Sequence, residues 1–352
     1  MPGSPRANSD STTTTDEPPP SRRGRRSAQI TLPQRRLVGR ARIGGTELPV
    51  CHAAFSGHES FPLRFAWLKK GYDGLRRDAA FFSSDDAMVV MGTGKNMVRS
   101  IRHWGLVCQM WDEVAGTRAQ DLQPSELGAW LLADDGWDPY LEDEGTAWLL
   151  HWLAVTNGFR ATTWAWMFSR QKGGPFAKSD VLAELDLKAS QFGIKRSTTS
   201  SLKRDLDVFV NSYMRASSRK ADLSEDALDC PFRQLGLLRP GPEKGTYELL
   251  VGSQSALADG IFIAALIDYI TGVRQSEGPA ISFDELMYGA LSPGRVFRLT
   301  EESLVRRLAR AVEALPEHLA FNDTAGIRQL LLRTALPTVE SALKAHYCGC
   351  GR

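Results

Sequence analysis

Three short stretches carry residue types at spacings that suit chemistry. The first is MVVMGTGKNMVRSIRHWG, residues 88–105, where Gly92 and Gly94 flank a turn and Lys95 follows it. A nucleotide-cradling loop needs Gly-x-x-x-x-Gly-Lys-Ser/Thr, so that backbone amides wrap the phosphates and the hydroxyl takes the magnesium ion. Val89 stands at the first glycine position and Asn96 where the hydroxyl belongs, so no bound nucleotide is expected. The same turn suits another anion, because glycines allow close backbone approach and free amides at a helix start attract phosphate. Lys95 and Asn96 would open that helix, with Arg99, Arg102 and His103 one turn further along. The alternative is a plain helix-helix turn with a solvated basic face.

The second stretch is GHESF, which sets His58 beside Glu59, and the third is SSDD, with Asp85 and Asp86. A carboxylate can hold a divalent cation or orient water, and an imidazole of pKa ~6.5 can move a proton. The structural alternative has Glu59 capping or pairing with Arg64, His58 closing a turn, and Asp85 and Asp86 capping a helix. The acidic run DDGWDPYLEDEGT reads as a solvated surface loop. His346, Cys348 and Cys350 offer soft ligands, but Cys-x-Cys is not a standard zinc spacing and no second pair stands nearby, so no metal site is assigned there.

Helical segments must position these residues. Phe61, Phe65, Leu68 and Tyr72 fall at helical spacing in SFPLRFAWLKKGYDGL, which predicts a first helix ending near Gly71. SSDDAMVVMG predicts a short second helix. A third, over 95–111, turns Met97, Ile101, Trp104 and Val107 or Cys108 inward. Three helices with a glycine turn and an extended segment after them are the plan of a winged helix-turn-helix. The plan recurs downstream: two aromatic helices, a short Asp-containing one, then STTSSLKRDLDVFVNSYMR with Leu202, Leu206, Phe209 and Val210 inward. A Pro-Gly-Pro-Glu-Lys-Gly turn between apolar runs supplies a wing. Residues 195–220 hold Lys195, Arg196, Lys203, Arg204, Arg215, Arg219 and Lys220 against Asp205 and Asp207. The fold class expected is mainly α with small β wings: tandem winged-helix-like units over 45–145 and 146–254, then a C-terminal helical domain over 255–345. Thr300 is expected to cap a charged amphipathic helix, and residues 346–352 to form a tail.

The net charge of +2 conceals an asymmetry. Residues 1–43 carry nine arginines against Asp10, Asp16 and Glu17, so the rest of the chain is net acidic. This Ser-, Pro- and Arg-rich stretch is too polar to bury a core, so a disordered basic tail is expected over 1–44. It is either a solubilising extension or an arm that gains affinity for nucleic acid through phosphate contacts. Five mostly isolated cysteines argue against a secreted disulfide framework. No apolar run approaches the ~20 residues of a membrane span, and a cytoplasmic location is expected.

FSGHESFPLRFAWLKKGYD, MGTGKNMVRSIRHW, WLLHWLAVTN, TTSSLKRDLDVF, LDCPFRQLGLL, SPGRVFRL and FNDTAGIRQLLL occur in this order. Together, over about residues 50–335, they resemble the uncharacterised-domain family found beside sulfur-transfer, PAPS-reductase-like enzymes in bacterial DNA phosphorothioation operons, the SspB-type proteins. The resemblance implies a DNA nickase that works with a cysteine desulfurase, an ATPase and an ATP-pyrophosphatase-like enzyme to place sulfur in double-stranded DNA. Phosphodiester hydrolysis usually takes carboxylates that hold a divalent metal, Mg²⁺ or Mn²⁺, and a base that activates water. The candidate catalytic residues are then His58, Glu59 and Asp86. The candidate DNA contacts are Arg64, Lys95, Asn96, Arg99, Arg102, His103, Lys195, Arg196, Lys203 and Arg204. Two rival functions are a non-catalytic DNA-binding adaptor and, from winged helices alone, a transcriptional regulator.

Overall fold

A computed structural model describes residues 54–117, 120–169, 174–191, 199–214, 229–273, 278–324 and 326–349. The basic stretch 1–44, Lys195 and Arg196 lie outside the described residues.

The first three helices form where the spacing places them. α1 (Phe65–Arg77) buries Trp67, Leu68, Tyr72 and Leu75, and the short α2 (Ala87–Met91) ends on Gly92 in the left-handed region. α3 (Lys95–Val107) buries Ile101, Trp104 and Val107. The strands β1 (Trp111–Glu113) and β2 (Leu122–Pro124) pair antiparallel as a wing, and α4 (Glu126–Leu132) follows. α1 does not stop near Gly71. That glycine is mid-helix because the Trp111 ring lies on it; a Cβ there would come 2.5 Å from the ring, and at Gly105 of α3 only 1.7 Å. Two glycines thus seat one tryptophan and lock the wing onto both helices.

The second unit begins with α5 (Glu144–Thr156) and α6 (Thr162–Ser169), whose residues are buried nearly all round. It continues through β3 (Phe176–Ala177), α7 (Lys178–Gln191) and α8 (Thr199–Tyr213), and closes with β4 (Leu238–Pro240) and β5 (Thr246–Leu249). The sheet order is β3-β5-β4, all antiparallel.

The C-terminal third, expected to be helical, repeats this order. α9 (Asp259–Asp268) precedes β6 (Ala280–Ser282), α10 (Phe283–Tyr288), α11 (Pro293–Val296) and α12 (Glu301–Ala314). The hairpin of β7 (Leu319–Thr324) and β8 (Ile327–Leu332) completes a sheet of order β6-β8-β7. It is a third winged-helix unit. Its short first strand, three residues long, gives too brief an alternation to stand out in the sequence. The first unit keeps a remnant of the same strand, since Leu122 of β2 donates to the Ala79 carbonyl (2.9 Å). Thr300 caps α12 as expected, its hydroxyl accepting from the Ser303 N–H (3.2 Å).

The last helix, α13 (Val339–Gly349), takes in residues 346–349. Tyr347 stacks on Trp137 (5.3 Å between ring centroids) and shares a 2.8 Å hydrogen bond with Thr146. The acidic run 134–146 is likewise less solvated than expected. Asp138 is buried, accepting from the Glu142 and Asp143 amides and the Thr146 hydroxyl. One hydrophobic core runs through all three units, with Trp104, Trp111, Trp148, Trp152 and Trp164 fully buried. Among the described residues no helix is long and apolar enough to cross a membrane.

Candidate nucleic-acid interface

In winged-helix units the helix before the hairpin is the one that reads a groove, here α3, α8 and α12. Gly92 (φ 64°) closes α2, and Gly94 precedes α3 without a side-chain cap. The first amides of α3 therefore have no side-chain capping oxygen, the arrangement that attracts an anion at a helix start. Lys95, Asn96 and Arg99 are exposed along this start. MVVM is helix rather than the strand that leads into a nucleotide loop. Calorimetry with Mg-ATP should accordingly show no binding; heat that vanishes in Lys95→Ala would overturn this.

Arg102 and His103 sit deeper. Arg102 is half-buried; desolvation lowers its pKa, and Glu113 partly offsets this. His103 is half-buried; desolvation first, and then its neighbour His58, push it down to about 3, so it is uncharged near neutral pH. Arg64 lies over the Trp67 ring at 5.3 Å. On α8, Lys203 and Arg204 are exposed, while Asp207 pairs with Lys178 (2.6 Å).

His58 and Glu59 lie between these two helices. His58 is 1% exposed. Its Nε2 lies 2.9 Å from Oδ1 of Asp205, itself 2% exposed. An ionised carboxylate only accepts, so Nε2 carries the proton; the buried Nδ1 has no partner among the described residues. Asp205 also accepts from the Ser56 N–H (2.5 Å) and the Thr163 hydroxyl (2.9 Å). The imidazole stacks on Trp104 (6.2 Å) and meets Trp164 and His103 edge-on (5.8 and 6.0 Å). Glu59 pairs not with Arg64 but with Arg99, at 3.6 Å, and is 30% exposed. Its backbone is left-handed (φ 56°), a conformation that costs a non-glycine residue about 1 kcal/mol or more.

His58, Glu59, Arg99 and His103 are thus brought together, while Asp86 stands exposed at the start of α2, its side chain making no capping bond. Sequence reasoning missed Asp205 and Thr163. A signal for Asp205 existed: it lies on the inward stripe of Leu202, Leu206 and Phe209, and an acid on a buried stripe implies a buried partner.

The family model described as "Protein of unknown function (DUF4007)" matches residues 55–347. Two solved structures are similar. One, titled "SspB crystal structure", is 29% identical with a TM-score of 0.75, covering 85% of this chain and 90% of that one. The other, titled "Magnesium ion-bound SspB crystal structure", is 29% identical with a TM-score of 0.73, covering 84% and 88%. No curated protein sequence matches.

Proposed function

Given that the chain belongs to the DUF4007 family and is an SspB-type protein, we propose that it binds duplex DNA in a bacterial phosphorothioation system and nicks one strand so that sulfur can be inserted. In this reading its partners are a cysteine desulfurase, an ATPase and an ATP-pyrophosphatase-like enzyme. The observation that carries it is the pair of exposed basic starts on α3 and α8, Lys95, Asn96 and Arg99 on one and Lys203 and Arg204 on the other. Cations there neutralise phosphates and position the duplex without reading its sequence.

For cutting, Glu59 is the candidate that reaches solvent beside a cation. Arg99 would hold a phosphate oxygen and Glu59 would orient the attacking water; water's oxygen bonds to phosphorus as one P–O ester bond breaks and the departing oxygen gains a proton. His58, bonded to Asp205, would act by fixing the loop that carries Glu59. Among the described residues no group of three or more His, Cys, Asp or Glu side chains is placed to hold a metal ion. Asp205 already spends its acceptors on three donors, so of these two carboxylates Glu59 is the one that would share a divalent ion with a substrate phosphate, where the ion would neutralise charge at phosphorus.

The test incubates full-length protein with supercoiled plasmid and Mg²⁺ or Mn²⁺ and measures open circles. Glu59→Ala should abolish nicking while leaving duplex affinity at or above the parent's, since Arg99 loses its counter-charge, and the melting temperature near the parent's. Full nicking by folded Glu59→Ala removes the site. The second reading, an adaptor that relies on a partner to cut, is favoured by the burial of His58; it predicts tight duplex binding and no open circles from the parent.

A further inference from the structure

Residues 54–61 thread between α3 and the second unit and are bonded to both. Toward the second unit, the Ala54 N–H donates to Thr162 (2.9 Å), the Ser56 hydroxyl to the Ser201 carbonyl (3.2 Å), and Ser56 N–H and His58 Nε2–H to Asp205. Toward α3, the Phe61 carbonyl accepts from the Trp104 indole (2.9 Å). Gly57 lies so close to His103 that a Cβ would come 2.3 Å from its Nδ1. Cations flank this pin on both sides: Glu59, next to His58, meets Arg99, and Lys203 and Arg204 immediately precede Asp205.

We infer that Asp205 is a positioning residue that holds α3 and α8 at one fixed spacing, so that a single duplex is gripped by both basic faces at once. The inference rests on the duplex-binding reading above. Apolar surfaces alone can slide past each other, whereas a buried carboxylate with three donors is satisfied in one arrangement only. Holding both faces in place beforehand removes the ordering cost that two loosely joined modules meet on binding. The grip is bipartite, because α12 begins with Glu301 and Glu302, and its Arg306 and Arg310 are paired with Glu302 and Asp259.

Duplex affinity of the full chain, measured against salt, tests this. Arg99→Ala and Lys203→Ala should each flatten the slope of log K against log salt by about 0.9, since both faces touch the same duplex. An unchanged slope in either one overturns the proposal. Asp205→Asn decides the positioning role. It removes a negative charge beside Lys203 and Arg204, so electrostatics alone would raise affinity. Positioning requires the opposite, an affinity loss of about tenfold and a slope reduced by one face's share, about 0.9 per contact. Parental or higher affinity in the folded variant overturns the proposal, as does a parental slope with a smaller active fraction. If Asp205→Asn does not fold, His58→Phe, which removes the side-chain donor reaching Asp205 from residues 54–61 and keeps the carboxylate's charge, must show the same two losses; parental affinity and slope there overturn it. Absence of salt-sensitive duplex binding by the parent would instead remove the DNA reading itself.

Discussion

Asp205→Ala is expected to lower the unfolding free energy by about 3–5 kcal/mol, the range for removing one partner from a buried charged contact. The loss does not come from packing. Alanine leaves the Ser56 N–H, the His58 Nε2–H and the Thr163 O–H in a closed space with nothing to accept them, and a stranded buried donor costs about 1–3 kcal/mol. Asp207, two residues on, is the control. Its pairing with Lys178 is part-exposed on both sides, so Asp207→Ala should cost no more than about 1 kcal/mol. Urea unfolding followed by circular dichroism measures both, and a similar small loss in the two variants would mean that the buried cluster contributes little.

Acidification should begin to destabilise the protein above the pH at which its carboxylates are protonated, because of two histidines. His151 is fully buried between the second and third units; its Nε2–H donates to the Val296 carbonyl (2.8 Å) and its Nδ1 accepts from the Tyr213 hydroxyl (2.8 Å). That tautomer is neutral and satisfied, and burial pushes its pKa down to about 4, the Val296 carbonyl only partly opposing. The unfolded chain takes up the proton near ~6.5, the folded one only near 4. The unfolded state therefore binds more protons across that window, and stability falls as pH falls through it. His151 contributes fully above pH ~6.5 and loses about 3 kcal/mol by pH 4, at about 1.4 kcal/mol per unit. His103, depressed to about 3, adds in the same direction. Urea midpoints measured between pH 7.5 and 4.5 should fall steadily, and His151→Gln should show a shallower fall than the parent. A flat profile above pH 5 would show that neither histidine is held neutral by the fold.

Periodicity alone determined the apolar stripes of α3 and α8 and the exposed basic residues at their starts, though not the half-burial of Arg102 and His103. An amphipathic helix turns its apolar stripe inward whatever it packs against, so Ile101, Trp104, Leu206 and Phe209 are buried where spacing puts them and Lys95, Arg99, Lys203 and Arg204 are exposed. Helix ends at Gly92 and Thr300 were equally legible, because left-handed backbone and a capping hydroxyl are local matters. What lay beyond the sequence were the features set by two distant segments at once. Gly71 reads as a helix stop until Trp111 arrives on it. The tail at 346 reads as loose until Tyr347 finds Trp137. The third winged helix is hidden because its sheet is made by pairing β6 with β8, some 50 residues away. The candidate site follows the same rule. His58 and Glu59 were noticed as residue types, but only tertiary structure brought Asp205 across 147 positions to His58 and Arg99, rather than Arg64, to Glu59. A hydrogen bond depends on where two chains meet in space, and hydrophobic spacing carries no record of that.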